Sequence, residues 1–351
     1  MASSTAAPIF GVRNMAPAEA VMALPGRLRR FSRAFGLGPA VLRYYHEPLG
    51  RLRQSIAEGG PWEQRRTEQA RLEMIAAAQA LSPLAARGGR DTVEIAFLSG
   101  ERFWWQTLFC VVSLQTHSRV RIMPVVYDDG TFNEVIWSAF SRVVPWARLV
   151  ASAQIEAGLD THLPFARFPA LRRRRLSYPH LRKLTDIHAG RSGWLAVLDS
   201  DMLVFRSPKA LLDWLAAPDH PCCLVESTSA YGYSARLMRE LAGGEPPARV
   251  NVGVCGLRSD AIDWDRLEYW CREMLEREGT HYFQEQALTA MLLTGQKCHR
   301  LDPPDYVVLP GLAEGRTPTA ALHHYVSSSK RSYFQHGWRR AIADAERGRR
   351  P

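Results

Sequence analysis

The apolar run Trp194-Leu195-Ala196-Val197-Leu198 stops on Asp199-Ser200-Asp201. Such a run followed by two carboxylates one residue apart describes a buried strand ending at the edge of its sheet, with two hard oxygen ligands left there. The carboxyl edge of a sheet is where open α/β folds bind ligands, and two carboxylates at that edge suit a divalent cation carrying a diphosphate. Asp-Ser-Asp is also ordinary turn chemistry, so its weight depends on what the rest of the chain supplies.

The surrounding pattern supplies an α/β frame. Val93, Ile95 and Phe97 alternate in a first strand that ends at Ser99-Gly100, and Phe103 to Leu114 reads as an apolar helix. Arg121 to Tyr127 is a second strand closed by Asp128-Asp129-Gly130, after which Thr131 is placed to cap a helix through Val135, Ile136 and Phe140. Leu181 to His188 reads as a helix, Trp194 to Leu198 as a strand, and Ser207-Pro208 as a cap and first helical position. Strands near Cys223 to Glu226 and Val250 to Leu257 follow, then helices over about 264–277 and 282–293. This alternation predicts a mostly parallel sheet with helices on both faces. Ahead of it, residues 1 to about 25 are rich in Ala, Pro and Ser and read as poorly ordered. Arg27 to Ala85 carries helical spacing at Leu72, Ile75, Ala76 and Ala80, and Ala86 to Arg90 reads as a linker. The expected organisation is a helical N-terminal extension over 1–90, an α/β domain over 91–340 and a basic tail over 341–351.

Composition narrows the class. At 46% hydrophobic and 23% charged residues the chain carries no push toward disorder. No stretch approaches the ~20 apolar residues of a membrane span. No basic region followed by an apolar block opens the chain, and the six cysteines form no zinc or C-x-x-C pattern. The reading is a soluble cytoplasmic protein with cysteines as small buried hydrophobes. A formal charge of +10 points toward polyanions, yet only Lys183, Lys209, Lys297 and Lys330 are lysine, the other basic residues being arginine. A lysine in this chain therefore needs a reason. Nucleic acid is not an expected partner, because no aromatic-basic interleaving accompanies the charge. The run Arg172-Arg173-Arg174-Arg175 reads as a solvated loop, with contact to an anionic acceptor or the inner membrane face as the alternative.

Four further stretches can carry chemistry. Asp128-Asp129-Gly130 can accept hydrogen bonds from a ribose or base, or be a simple turn. Asn251-Val252-Gly253 places an amide and a bare backbone in a strand, for close approach of a ligand or for a bulge. Gln284-Glu285-Gln286 opens an amphipathic helix, where polar residues also serve as first-turn groups. His324-Tyr325-Val326-Ser327-Ser328-Ser329-Lys330 pairs an imidazole with an ammonium. A histidine with two aspartates makes a mixed N/O site suited to Mn²⁺ or Mg²⁺, and lysine is a point charge for phosphate.

In that order, the residues from about 91 to 335 resemble family 8 glycosyltransferases, the glycogenin and lipopolysaccharide galactosyltransferase type. The resemblance runs through Ser113-Leu114, Asp128-Asp129-Gly130, Lys183-Leu184, Asp199-x-Asp201, Asn251-x-Gly253, Glu285-Gln286 and His324-x₅-Lys330. It implies a GT-A fold, a Rossmann-like α/β sheet, and metal-dependent, usually retaining transfer of a sugar from a nucleotide diphosphate donor such as a UDP-sugar. The acceptor would be a saccharide, a lipid-linked glycan or a protein. By residue, it places Asp199, Asp201 and His324 on the metal and Asp199 also on the ribose. Lys330 falls on the diphosphate, Asp128 and Asp129 on the nucleoside, Lys183, Asn251 and Gly253 on the donor, and Glu285 and Gln286 on the sugar and acceptor side. The pattern departs at Ser99-Gly100-Glu101-Arg102-Phe103, where the family has an acid closely followed by tyrosine, and at Arg331-Ser332, where it has Pro-Trp. Two rival readings remain: a haloacid-dehalogenase-type phosphohydrolase, which also sets Asp-x-Asp after a strand, and a non-catalytic nucleotide-sugar or polyanion-binding protein.

Overall fold

Strands that are apolar on both faces need cover on both sides, and the sequence alternates them with helices long enough to provide it. The computed structural model describes residues 59–85 and 92–347; the expectations for residues 1–58, 86–91 and 348–351, the poorly ordered N-terminus and the linker included, lie outside the described residues. The chain divides into two units at Arg71/Leu72. In the first, the opening turns of α1 (Gly60–Ala80) carry a Glu68–Arg71 pair on one helix face.

The elements of the second unit begin with β1 (Thr92–Ser99), α2 (Trp104–Thr116), β2 (Arg121–Asp128), α3 (Glu134–Val143) and β3 (Arg148–Val150). Next come α4 (Ser152–His162), α5 (Pro169–Ser177), α6 (Arg182–His188), β4 (Trp194–Leu198) and β5 (Met202–Val204). Then follow α7 (Lys209–Ala216), β6 (Cys222–Val225), α8 (Ala235–Ala242), β7 (Val250–Arg258), α9 (Trp264–Arg277) and α10 (Gln284–Leu292). The last are β8 (His299–Arg300), β9 (Tyr306–Val308), α11 (Leu312–Arg316), β10 (Leu322–His324), α12 (Lys330–Ser332) and α13 (Trp338–Arg347).

The main sheet runs β3-β2-β1-β4-β7-β6-β8. Its pairs are parallel except at β7, which is antiparallel to both β4 and β6. The expected mixed, mostly parallel α/β sheet is therefore present. One side chain parity (Ala96, Val125, Tyr127, Leu195, Val197, Cys255, Leu257) packs in a core with α4, α5, α6, α8, α9 and α10. The other parity, including Ile95, Phe97, Ile122 and Val126, is equally buried, and α2 lies against β1 and β2 there.

Register puts the ligand edge together. Ser99 of β1 pairs with Asp128 of β2, and Ala96 pairs with Val197, so β1, β2 and β4 end level. Because β7 is antiparallel, its beginning arrives at the same edge: Leu198 pairs with Val254, and the Asp199 N–H donates to the Gly253 carbonyl at 2.8 Å. A second sheet, β5-β10-β9, continues from there, with His324 opposite Met202 in an antiparallel pair. Three-residue strands hold no periodicity for a sequence to display, and the apolar pattern does not reveal this sheet.

Other local expectations change. Asn133, not Thr131, caps α3, accepting from the Ile136 N–H at 2.9 Å; the Thr131 hydroxyl accepts from the Glu101 N–H instead. Pro208 stands one residue before α7, which has no side-chain cap. Residues 338–347, reaching into the stretch expected as a basic tail, form α13. Among the described residues no helix is long and apolar enough to cross a membrane.

Candidate active site

β4 ends on Asp199-Ser200-Asp201, and β5 resumes at once, so the triplet is a tight link between two sheets. Ser200 is tied down by a hydroxyl chain in which its Oγ lies 2.7 Å from Thr107 Oγ1, itself 2.7 Å from Ser99 Oγ. The flanking carboxylates then project from a fixed backbone. The β5–β10 pairing carries His324 across to them, with the Tyr325 N–H donating to the Asp201 carbonyl at 3.0 Å. His324 Nε2 lies 3.3 Å from Asp201 Oδ1 and 3.6 Å from Asp199 Oδ2. One ligand atom from each of the three residues lies within 4.8 Å of the others. Two carboxylate oxygens and an imidazole nitrogen at this separation fit Mn²⁺ or Mg²⁺.

Two of the four lysines close on this group. Lys183 Nζ of α6 donates to Asp199 Oδ1 at 2.9 Å and lies 3.4 Å from Glu285 Oε2; Lys330 Nζ of α12 donates to Asp201 Oδ2 at 2.5 Å. Burial opposes ionisation of Asp201, yet Lys330 and His324 hold its carboxyl well below the usual range. Burial likewise opposes the charge of Lys183, but Asp199 and Glu285 raise its pKa. Glu285 behaves differently. Burial pushes its carboxyl up to about 7, with Lys183 opposing that shift and Asp199 adding repulsion.

Asn251, at the start of β7, is buried with both ends of its amide engaged. Its Nδ2 donates to Glu226 Oε2 at 2.7 Å, and its Oδ1 accepts from the Gly253 N–H at 3.0 Å and faces His324 Nδ1 at 3.1 Å. Gly253 is the floor of the imidazole: a Cβ there would collide with the His324 ring and with Met202. The bare backbone thus serves close approach by a side chain of this chain. Glu226, just after β6, was not singled out from sequence, although an acid directly after an apolar strand is the signal that singled out Asp199.

Gln284, Glu285 and Gln286 are all buried at the start of α10. Gln286 Nε2 donates to the Ala230 carbonyl at 2.8 Å. Gln284 Oε1 accepts from Arg174 Nε at 2.6 Å, and Arg174 lies over the Tyr178 ring at 4.4 Å. Arg175 makes a fork to Asp186 of α6 at 2.5 and 2.8 Å, with Asp186 also accepting from Thr185 Oγ1. Arg172 pairs with Asp160 and Glu156, and Arg173 lies over Phe165. The arginine run is therefore neither a loop nor solvated as a whole. Arg174 and Arg175 are buried in α5 and tie it to the helices that carry Glu285 and Lys183.

Asp128 is turned into its own turn. Its Oδ1 accepts from the N–H groups of Gly130, Thr131 and Phe132 at 2.8 to 3.0 Å, and its Oδ2 from Ser152 at 3.4 Å. Asp129 is half-buried, its carboxylate lying over Gly100 and accepting from Thr131. Neither joins the cluster around Asp199.

Three described non-glycine residues have left-handed backbone, and each borders this region. Arg249 precedes Asn251 and donates to the Glu226 carbonyl at 2.6 Å; the Leu309 N–H donates to the His324 carbonyl at 3.0 Å; Ser327 lies between His324 and Lys330. Such strain, of order 1–3 kcal/mol per residue, persists where surrounding bonds fix it, and it gathers at functional sites. A cavity of about 380 Å³ opens at the opposite end of β4, lined by Trp194, His220, Leu257, Arg258 and Lys297 among others, and shares no residue with the cluster.

No protein-family model and no curated protein matches the chain. Among solved structures it is similar to the galactosyltransferase LgtC in complex with donor and acceptor sugar analogs, at 16% identity over 72% of this chain and 95% of that one, with a TM-score of 0.49. It is also similar to mouse xyloside xylosyltransferase 1, at 11% identity over 66% and 97% of the two chains with a TM-score of 0.46. The glycosyltransferase GlyE of Streptococcus pneumoniae is similar at 12% identity over 75% of this chain and 65% of that one, TM-score 0.43.

Proposed function

We propose that the chain is a metal-dependent glycosyltransferase that moves a sugar from a nucleotide diphosphate donor, a UDP-sugar in the first instance, to a saccharide, lipid-linked glycan or protein acceptor, with retention at the anomeric carbon. The observation that carries the reading is the convergence of Asp199, Asp201 and His324 with Lys183 and Lys330 at one sheet edge. Sugar transfer leaves an extra negative charge on the departing diphosphate, so the site must hold positive charge where that charge develops. Mn²⁺ or Mg²⁺ held by Asp199, Asp201 and His324 supplies part of it when bound.

The chain's own groups supply the rest. Lys330, on a flexible stem beside Asp201, exchanges its carboxylate for a phosphate oxygen as the donor enters. Lys183 is held ionised between Asp199 and Glu285 and faces the donor sugar. Glu285, with its carboxyl near neutrality, and Gln286, with a carboxamide, line the sugar and acceptor side. Gln286 offers a neutral oxygen there, which favours same-face attack assisted by the leaving phosphate over a carboxylate nucleophile. The nucleoside falls toward Asp129 and Gly100, with Asp128 shaping the turn that presents them.

The test is a thermal-shift screen of nucleotide sugars with and without Mn²⁺, followed by a transfer assay with the donor that stabilises most. The expected result is stabilisation by one donor class that depends on Mn²⁺, then sugar transfer. Stabilisation by none, or release of inorganic phosphate without transfer, overturns the reading in favour of its rivals.

A further inference from the structure

We infer that Glu226 and Asn251 are positioning residues for cation binding, Glu226 acting through Asn251 to hold His324 in the tautomer whose Nε2 lone pair faces Asp199 and Asp201. The inference rests on the metal site proposed above and assigns roles that the sequence pattern does not.

Which atoms can donate decides the tautomer. An ionised Glu226 carboxylate only accepts, so the Asn251 atom 2.7 Å from Oε2 is the NH₂ group. The backbone N–H of Gly253 only donates, so the Asn251 atom 3.0 Å from it is the carbonyl oxygen. These two bonds, one to the residue that follows β6 and one within β7, agree on one orientation of the amide. Its oxygen is then the atom that faces His324 Nδ1 at 3.1 Å, and an amide oxygen can only accept. Nδ1 must carry a proton. The neutral imidazole therefore keeps its lone pair on Nε2, the nitrogen 3.3 and 3.6 Å from the two aspartates.

The surroundings hold this relay in place. Glu226 Oε1 accepts from the Ser227 N–H at 3.0 Å and lies 3.3 Å from its hydroxyl, leaving Oε2 for Asn251. The Glu226 backbone is bonded in both directions to Arg249, by N–H to the Arg249 carbonyl at 2.7 Å and by its own carbonyl to Arg249 Nε. Arg249 is one of the left-handed residues, so backbone strain is kept where the relay is anchored. On the far side the missing Cβ of Gly253 admits the ring. Glu226, Asn251 and Gly253 thus fix ring position, ring orientation and proton location together.

The experiment is titration of the full-length protein with Mn²⁺ alone, following free Mn²⁺ by electron paramagnetic resonance. Asn251→Ala should weaken Mn²⁺ binding by about 10- to 100-fold, the usual effect of losing a partner behind a metal-bound histidine. Glu226→Ala should weaken it by about tenfold, while Glu226→Gln, which keeps an acceptor oxygen for Asn251, should stay within about threefold. A purely structural role would not give the decisive pattern: in a His324→Ala background, Asn251→Ala should cause no further loss. Thermal melts identify any variant that fails to fold, and Glu226→Ala and Asn251→Ala provide independent breaks in the relay. Unchanged affinity in both, or the same loss with His324 already removed, overturns the relay alone. No Mn²⁺ bound by the unsubstituted protein overturns the metal site and the relay together. Mn²⁺ binding with the expected pattern but no sugar transfer supports the relay and removes the proposed activity.

Discussion

Lys183 and His188 lie on the same short helix, α6, and both are buried, yet one is held charged and the other neutral. Lys183 meets Asp199 and Glu285, whose attraction outweighs the loss of water. His188 meets only a hydroxyl, Ser259 Oγ at 2.8 Å, with Arg191 as a like charge, and burial drives its pKa down to about 4. The two residues mark the two ends of β4. At one end carboxylates, lysines and an imidazole converge, and Lys183 and Asp201 are held charged there by their partners. At the other end the groups are neutral or exposed, although the cavity of about 380 Å³ is there. Burial and concavity alone do not single out the candidate site. What does is a set of buried charges that need each other.

The contrast is broken most severely at the charged end. Asp201→Ala or His324→Ala should reduce sugar transfer by a factor on the order of a thousand or more, since each removes a ligand from a three-residue cation site. Thermal melts run beside the assay separate loss of a ligand from loss of the fold, His324 being buried and the two aspartates mostly covered. A variant retaining more than a tenth of the parent rate at saturating Mn²⁺ would remove that residue from the site.

Next in size is the clamp on the middle of α6. Arg175→Met leaves the Asp186 carboxylate buried with only Thr185 beside it, which should cost about 3–5 kcal/mol of stability in denaturant unfolding. Adding Asp186→Asn should recover part of that loss, because the unpaired charge is then gone. If Arg175→Met alone is neutral, the arginine run does not set the position of Lys183.

The neutral end has its own signature in pH. Unfolded His188 titrates near 6.5 and folded His188 near about 4, so between these values the unfolded chain binds more protons. Its contribution is complete above pH 6.5 and is lost as pH falls through about 4, by up to about 3 kcal/mol. His188→Gln should flatten the fall in melting temperature over that window. An unchanged slope would show that His188 is not held neutral.

Much of this frame was legible, for definable reasons. Strands β1, β2 and β4 carry apolar patterns, and α9 shows its apolar face, so local sequence reports them. The scarcity of lysine made Lys183 and Lys330 visible, and both reach the cluster. What stayed hidden depends on partners distant in sequence. Arg172 to Arg175 reads as exposed because Asp186 and Gln284 lie elsewhere in the chain. The type of Asn251 was legible, but its alignment with Glu226 and His324 follows from an antiparallel β7 that a βαβ rhythm does not announce. Asp128 could be a ligand or a turn residue by sequence, and three backbone bonds to its carboxylate belong to the turn, with a fourth from Ser152.

The smallest effect is expected at the cavity of about 380 Å³ beside the start of β4. Arg258 in the cavity wall pairs with Asp260, but both side chains are substantially exposed, and such pairs contribute about 0–1 kcal/mol. Lys297 lines the same wall with no buried carboxylate among its neighbours there. Arg258→Ala and Lys297→Ala should therefore change turnover by less than about twofold and stability by less than about 1 kcal/mol. The measurement is kcat and KM for both variants beside the parent. A tenfold change in either would mean that the neutral end binds a ligand whose occupancy is felt along α6 at Lys183, and the division between the two ends would have to be redrawn.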